Sequence, residues 1–299
     1  MRVVSLTCSN TEIVCALGCA HLLVGVDEHS DFPADVVAAL PRVGKDLSVD
    51  PEKVAALRPD LVLASLTVPG HEHVVAALQA RGLPLLTLAP RSVADTAEDI
   101  LTIGAALGVP ERARTLAQAL LAAIGPIPSA AAPGAPRILV EWWPKPVIAA
   151  GRRSWVNDLL LAAGAENALG DRDVESAPLH DEDAVALAPD AVVIAWCGVP
   201  LSHYRPEVVL RRPSWQGLRL VKERRVVPIS EALLGRPGPR LIEGLAALRA
   251  LVSDLKGRPH ATEVPPWHDG ASPRGLDAAR LPPAPGLPAG LQRSEPEQV

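Results

Sequence analysis

Apolar residues recur with a period close to 3.6 at Val93, Ala97, Ile100, Leu101, Ile103 and Leu107, and again at Leu116, Leu120 and Ile124. This pattern predicts a helix of roughly nine turns over 91–125, opened by the capping residues Ser92 and Asp95. Gly108-Val109-Pro110 stands in its middle, so a kink or short break is expected there. On either side the pattern changes to short apolar runs alternating with helical segments. Strands are predicted at 3–6, 22–26, 61–64 and 85–88, with helices at 11–17, 33–40, 52–57 and 71–81. After a Pro/Ala-rich linker at 126–136, strands are predicted at 137–141, 146–149, 191–195 and 224–229, and helices at 155–163 and 239–255. Strands alternating with helices imply α/β architecture with parallel sheets.

The two flanks share a motif. Glu52-Lys53-Val54-Ala55-Ala56-Leu57-Arg58-Pro59-Asp60-Leu61-Val62 matches Glu182-Asp183-Ala184-Val185-Ala186-Leu187-Ala188-Pro189-Asp190-Ala191-Val192 at a constant offset of 130 residues. Both read as a helix broken by Pro-Asp and turned directly into a buried strand. Helix-to-strand joints share composition, but the constant register favours an internal duplication. The expected organisation is an N-terminal Rossmann-like lobe at 1–90, a connecting helix at 91–125, a C-terminal lobe at 126–256 and a Pro-rich disordered tail at 257–299.

Composition narrows the function. The chain has 299 residues, 48% of them apolar and 21% charged, as in soluble globular proteins. A net charge of −5 without a basic patch argues against nucleic acid as a partner. No secretory signal is visible at the start and no apolar run approaches the length of a membrane span. The sequence as written is therefore expected in the cytoplasm; a start codon set too late would make the protein periplasmic or bound to the cell surface. The four cysteines have no zinc-type spacing, and Cys15 and Cys19, one helical turn apart, read as small buried hydrophobes.

No catalytic constellation is present: there is no Gly-rich phosphate loop and no G-x-S-x-G motif. The chain is read as a non-enzyme needing no cofactor. His71-Glu72-His73 reads first as a solvated helix start with an acidic residue at the positive end of the dipole. The alternative is a metal or metal-chelate carrier using His29, His71, His73 and Cys8. Aromatic residues are only 3% of the chain, so their placement is informative. Trp142 and Trp143 follow one strand, Trp196 follows another, Tyr204 and Trp215 lie in the loops beyond, and Phe32 closes the loop 27–31. Loops at the carboxyl ends of parallel strands line ligand crevices. Flat side chains there suit a large planar or macrocyclic ligand, although any one tryptophan could instead cap its own lobe's core.

Together these features resemble the iron-siderophore and vitamin B12 substrate-binding proteins of ABC transporters. The matching stretches include Val3-Val4-Ser5-Leu6 with Asn10-Thr11-Glu12, Ser30-Asp31-Phe32-Pro33, Pro41-Arg42-Val43-Gly44, Pro213-Ser214-Trp215 and Arg236-Pro237-Gly238-Pro239-Arg240. The resemblance covers roughly residues 2–255 and looks nearest to the B12-binding branch. It implies two α/β lobes joined by one long backbone helix, with a cobalamin-like corrinoid bound between them and no chemistry performed on it. Phe32 and Ser65 would contact the ligand from one lobe, and Trp142, Trp143, Trp196 and Trp215 from the other. Haem, a ferric siderophore or a metal ion would be the alternative cargo, and a cytosolic enzyme acting on a corrinoid precursor a more distant one. The resemblance also implies an ABC permease as partner, met by Glu72 on one lobe and Glu207 on the other, with the protein acting as a monomer.

Overall fold

Val3-Val4-Ser5 is buried at every position and forms the central strand of the first sheet. The computed structural model describes residues 1–257. Within them the chain divides into two units: Met1–Ala89 with Ala97–Ala123, and Pro90–Thr96 with the chain from Ile124 onward. The tail at 258–299, with Trp267, lies outside the described residues.

In the first unit β1 (Val3–Ser5) leads through α1 (Cys8–Ala16) to β2 (Leu23–Val26) and the short helix α2 (Ala34–Val37). A two-stranded hairpin follows, β3 (Gly44–Lys45) and β4 (Ser48–Val49). Then come α3 (Pro51–Ala56), β5 (Leu61–Ser65), α4 (His71–Ala80) and β6 (Leu85–Leu88). The sheet order is β2-β1-β5-β6 and every pairing is parallel, as the alternating pattern predicts. Val4, Val54, Val62 and Leu78 are buried together on one side of it.

The segment 91–125 is helical in two pieces, α5 (Val93–Ala106) and α6 (Pro110–Ile124). The break falls at Gly108-Val109-Pro110, where Gly108 takes a left-handed φ of +74° and Pro110 opens the next helix. A Cβ placed on Gly104 would lie 2.1 Å from Ala113 Cβ, so the two helices meet with almost no space between their backbones.

The second unit contains β7 (Arg137–Pro144), β8 (Val147–Ala150), α7 (Trp155–Ala163), β9 (Glu166–Asn167), β10 (Ser176–Leu179), α8 (Asp181–Leu187) and β11 (Ala191–Ile194). After these come α9 (Pro206–Leu210), α10 (Arg219–Lys222), β12 (Val226–Pro228), α11 (Glu231–Leu234) and α12 (Leu241–Gly257). The strands run β10-β8-β7-β11-β12, with β9 beside the start of β7. Here the expectation of purely parallel strands is corrected. β7, β9, β11 and β12 are parallel, but β8 is antiparallel to β7 and to β10. The physical reason is the connection: Lys145-Pro146 is a two-residue turn, and only a crossover of a dozen or more residues can join parallel neighbours. Among the described residues no helix is long and apolar enough to cross a membrane.

The duplicated motif has the same geometry in each unit. Arg58 (φ +47°) and Ala188 (φ +42°), 130 residues apart, are two of the three non-glycine residues with positive φ among those described. Each turns the chain out of its helix just before Pro-Asp. The Asp60 carboxylate accepts from the Arg2 amide (2.6 Å), and the Asp60 amide donates to the Arg2 carbonyl (2.8 Å). Asp190 repeats both bonds with Arg137, at 2.9 and 2.8 Å. The Pro-Asp pair thus holds β5 in register beside β1 and β11 in register beside β7.

Candidate ligand-binding site

In the first unit, the loop after β2 is built from buried polar groups. Thr11 Oγ1 lies 2.9 Å from both Ser5 Oγ and Ser30 Oγ, and Ser30 donates to the Asp27 carboxylate. Arg42 donates to the carbonyls of Asp27 (2.8 Å), Ser30 (2.6 Å) and Val37 (3.1 Å). Asp27 is fully buried; burial pushes its carboxyl above the usual aspartate range, against the lowering effect of its bonds to Ser30 and the His29 amide. Ser5, Thr11 and Ser30, which belong to the motifs behind the resemblance, are therefore spent on fixing this loop. What the loop presents is Phe32, 44% exposed. Ser65, expected to meet the ligand, ends β5 buried, with its hydroxyl 3.0 Å from Thr67 Oγ1.

Two of the four candidate metal ligands come together, through a residue the sequence did not single out. Asp46, at the tip of the β3–β4 hairpin, has His29 Nε2 at 3.7 Å from one oxygen and His71 Nε2 at 3.6 Å from the other. His71 Nδ1 accepts from the Val68 amide (3.4 Å), which leaves the proton on Nε2, where a metal would need a lone pair. His73 stays in solvent beside Glu72, and among the described residues no group of three or more His, Cys, Asp and Glu is arranged to hold a metal. His71, with His29 adding to it, holds the Asp46 carboxyl below the usual range. A lowered folded pKa contributes stability that is present above the unfolded value and lost as pH falls through the folded one. Thermal unfolding of Asp46→Asn followed below about pH 4 is expected to lack this part of the acid-induced loss.

In the second unit Trp142 and Trp143 lie near the end of β7, where its register against β8 shifts. Trp143 is 41% exposed and Trp142 is partly buried. Trp196 and Trp215, expected as ligand platforms, are core residues instead, at 5% and 0% exposure. Both serve a buried ion pair. The fully buried Glu141 receives two parallel bonds from Arg212, Nη1 to Oε2 at 2.8 Å and Nη2 to Oε1 at 2.9 Å. Trp196 Nε1 donates to the same carboxylate (3.0 Å), and Arg212 stacks 4.5 Å from the centre of the Trp215 ring. Tyr204 closes the cluster by donating to the Trp196 carbonyl (2.9 Å).

Beyond Arg212 a cavity of about 570 Å³ opens, lined by Lys145, Arg205, Glu207, Val208, Arg211, Arg212 and Pro213. Glu207, expected to stand free for a permease, is thus set among cations, 3.8 Å from Arg224. Glu72 is well exposed in the first turn of α4, and its carboxylate accepts from the Gly70 amide (2.9 Å).

Known proteins share this architecture. The family described as periplasmic binding protein matches residues 3–233. An uncharacterised ABC transporter substrate-binding lipoprotein of Bacillus subtilis (strain 168) is 31% identical over 83% of this chain and 78% of its own length. The vitamin B12-binding protein of Salmonella choleraesuis (strain SC-B67) is 26% identical over 81% of this chain and 86% of its own. Among solved structures, the periplasmic heme-binding protein of Roseiflexus sp. RS-1 in its apo form superposes with a TM-score of 0.72 at 28% identity, covering 85% of this chain and 98% of its own.

Proposed function

Because the chain belongs to the periplasmic binding protein family, we propose that it captures a cobalamin-like corrinoid for an ABC-type permease, without altering it. The observation that carries this reading is that each unit, taken by itself, exposes a large aromatic side chain at or beyond the carboxyl end of a strand. Phe32, in the loop after β2, and Trp143, near the end of β7, are large, flat and more than 40% exposed. Such surface is costly to leave in water and is matched by the broad apolar face of a macrocycle. The B12-binding relatives support a corrinoid. Haem is the second reading, supported by the heme-binding neighbour and by the cations that line the cavity of the second unit. Glu72 is the proposed permease contact.

Titration with cyanocobalamin or haemin is expected to quench tryptophan fluorescence at a stoichiometry of one. Phe32→Ala with Trp143→Ala is expected to weaken binding about tenfold or more, as loss of aromatic contacts does elsewhere. No quenching by either compound would refute capture of a tetrapyrrole. Two of the proteins named above are described as a lipoprotein and as periplasmic, which favours action outside the cytoplasm. Fractionation of cells expressing the chain from its genomic start separates this from a cytosolic role.

A further inference from the structure

The cavity in the second unit is lined by more cations than carboxylates. Arg212, at its edge, is neutralised by Glu141, and Glu207 is shared with Arg224. Among the described residues no carboxylate pairs with Lys145, Arg205 or Arg211. Arg205 is held by backbone oxygens, donating from Nη1 to the carbonyls of Ser202 (2.7 Å) and Tyr204 (2.9 Å), so its guanidinium is positioned without being discharged. Three like charges around one concavity repel each other, an arrangement that an anion relieves. Val208 and Pro213 supply apolar wall between them.

The topology puts this cavity at the ligand-facing end of its sheet. Lys145 directly follows β7, two residues after Trp143, and Arg205 to Arg212 follow β11, which is parallel to β7. Both therefore leave the sheet at the carboxyl ends of their strands. We propose that Lys145, Arg205 and Arg211 form an anion subsite that takes the negatively charged oxygens of the captured compound, either pendant carboxylates or a phosphodiester. This rests on the capture reading and adds to it that the cargo is recognised by charge as well as by its apolar face.

The test pairs charge removal in the protein with charge removal in the ligand. Lys145→Ala/Arg211→Ala changes two exposed side chains with no ion-pair partner among the described residues, and an unchanged melting temperature verifies its fold. Wild type and variant are titrated with haemin and its dimethyl ester, and with cyanocobalamin and cobinamide, which lacks the phosphodiester. The variant is expected to bind the member of one pair that carries the carboxylates or the phosphodiester about tenfold more weakly and the counterpart that lacks that group equally well. A loss with haemin assigns the subsite to carboxylates, and a loss with cyanocobalamin to the phosphodiester. Equal losses within a pair, or no loss in either, would overturn the proposal. If the wild type takes up none of the four, the capture reading fails, and citrate decides the subsite separately. Calorimetric binding of citrate that the variant loses would sustain it; no binding, or equal binding to both proteins, would end it.

Discussion

Arg212→Ala is expected to destabilise the second unit by about 3–5 kcal/mol, lowering its melting temperature by on the order of 10 °C. The Glu141 carboxylate has no exposure and depends on Arg212 for two of its hydrogen bonds. Truncating the arginine leaves one bond from Trp196 Nε1 to compensate a charge sealed from water. It also removes the cation from the face of Trp215, whose buried Nε1–H finds no acceptor among the described residues. Denaturant unfolding followed by tryptophan fluorescence measures the loss. Glu141→Leu/Arg212→Met replaces the pair by apolar side chains and is expected to recover most of it, since desolvating two charges offsets much of their attraction. A double variant as unstable as Arg212→Ala would show that packing on Trp215, rather than the stranded carboxylate, accounts for the effect.

Gly104→Val is expected to cost about 3 kcal/mol, at the upper end of the range for overpacking a tight contact. Its new atoms would fall on Ala113, whose Cβ is 2.1 Å and Cα 3.4 Å from the position of an added Cβ. Relief requires α5 and α6 to move apart as bodies. Gly108, four residues on, is a contrasting control. Nothing lies within 4 Å of a Cβ there, and only its φ of +74° opposes a side chain. Gly108→Ala is therefore expected to cost about 1 kcal/mol, the strain of a left-handed residue. Equal effects at the two positions, measured by thermal unfolding, would contradict the close helix contact.

Local physics made a large part of the fold legible. The cap at Asp50, with its side chain accepting from the amides of Glu52 and Lys53, and the stop at Gly164, left-handed at φ +80°, lie where short-range chemistry puts them. The interruption of 91–125 follows from Gly108 and Pro110 for the same reason. The offset of 130 was visible as letters, but its role was not. Only the paired bonds of Asp60 to Arg2 and of Asp190 to Arg137 reveal that the motif sets strand register.

The site divides along the same line. Exposure of Phe32 and Trp143 agrees with their loop and strand-end positions, which sequence order conveys. The fate of Trp196 and Trp215 does not follow from order, because burial of an indole depends on what packs over it. Here the cover is a Glu-Arg pair 71 residues apart in the chain. The same holds for Asp46 between His29 and His71, and for the cations of Lys145 and Arg211, which meet only because β7 and β11 are neighbours.

By itself, then, the sequence determined the alternation of strands and helices, the break between α5 and α6, the repeated joint and the aromatic character of the strand ends and loops. Each depends on backbone preference or periodicity within a few residues. Tertiary structure alone decided which tryptophans are core, that β8 and β10 run against their neighbours, and where unpaired positive charge collects. Those outcomes depend on contacts between distant segments, whose charges and apolar faces acquire meaning only once the sheet has brought them together.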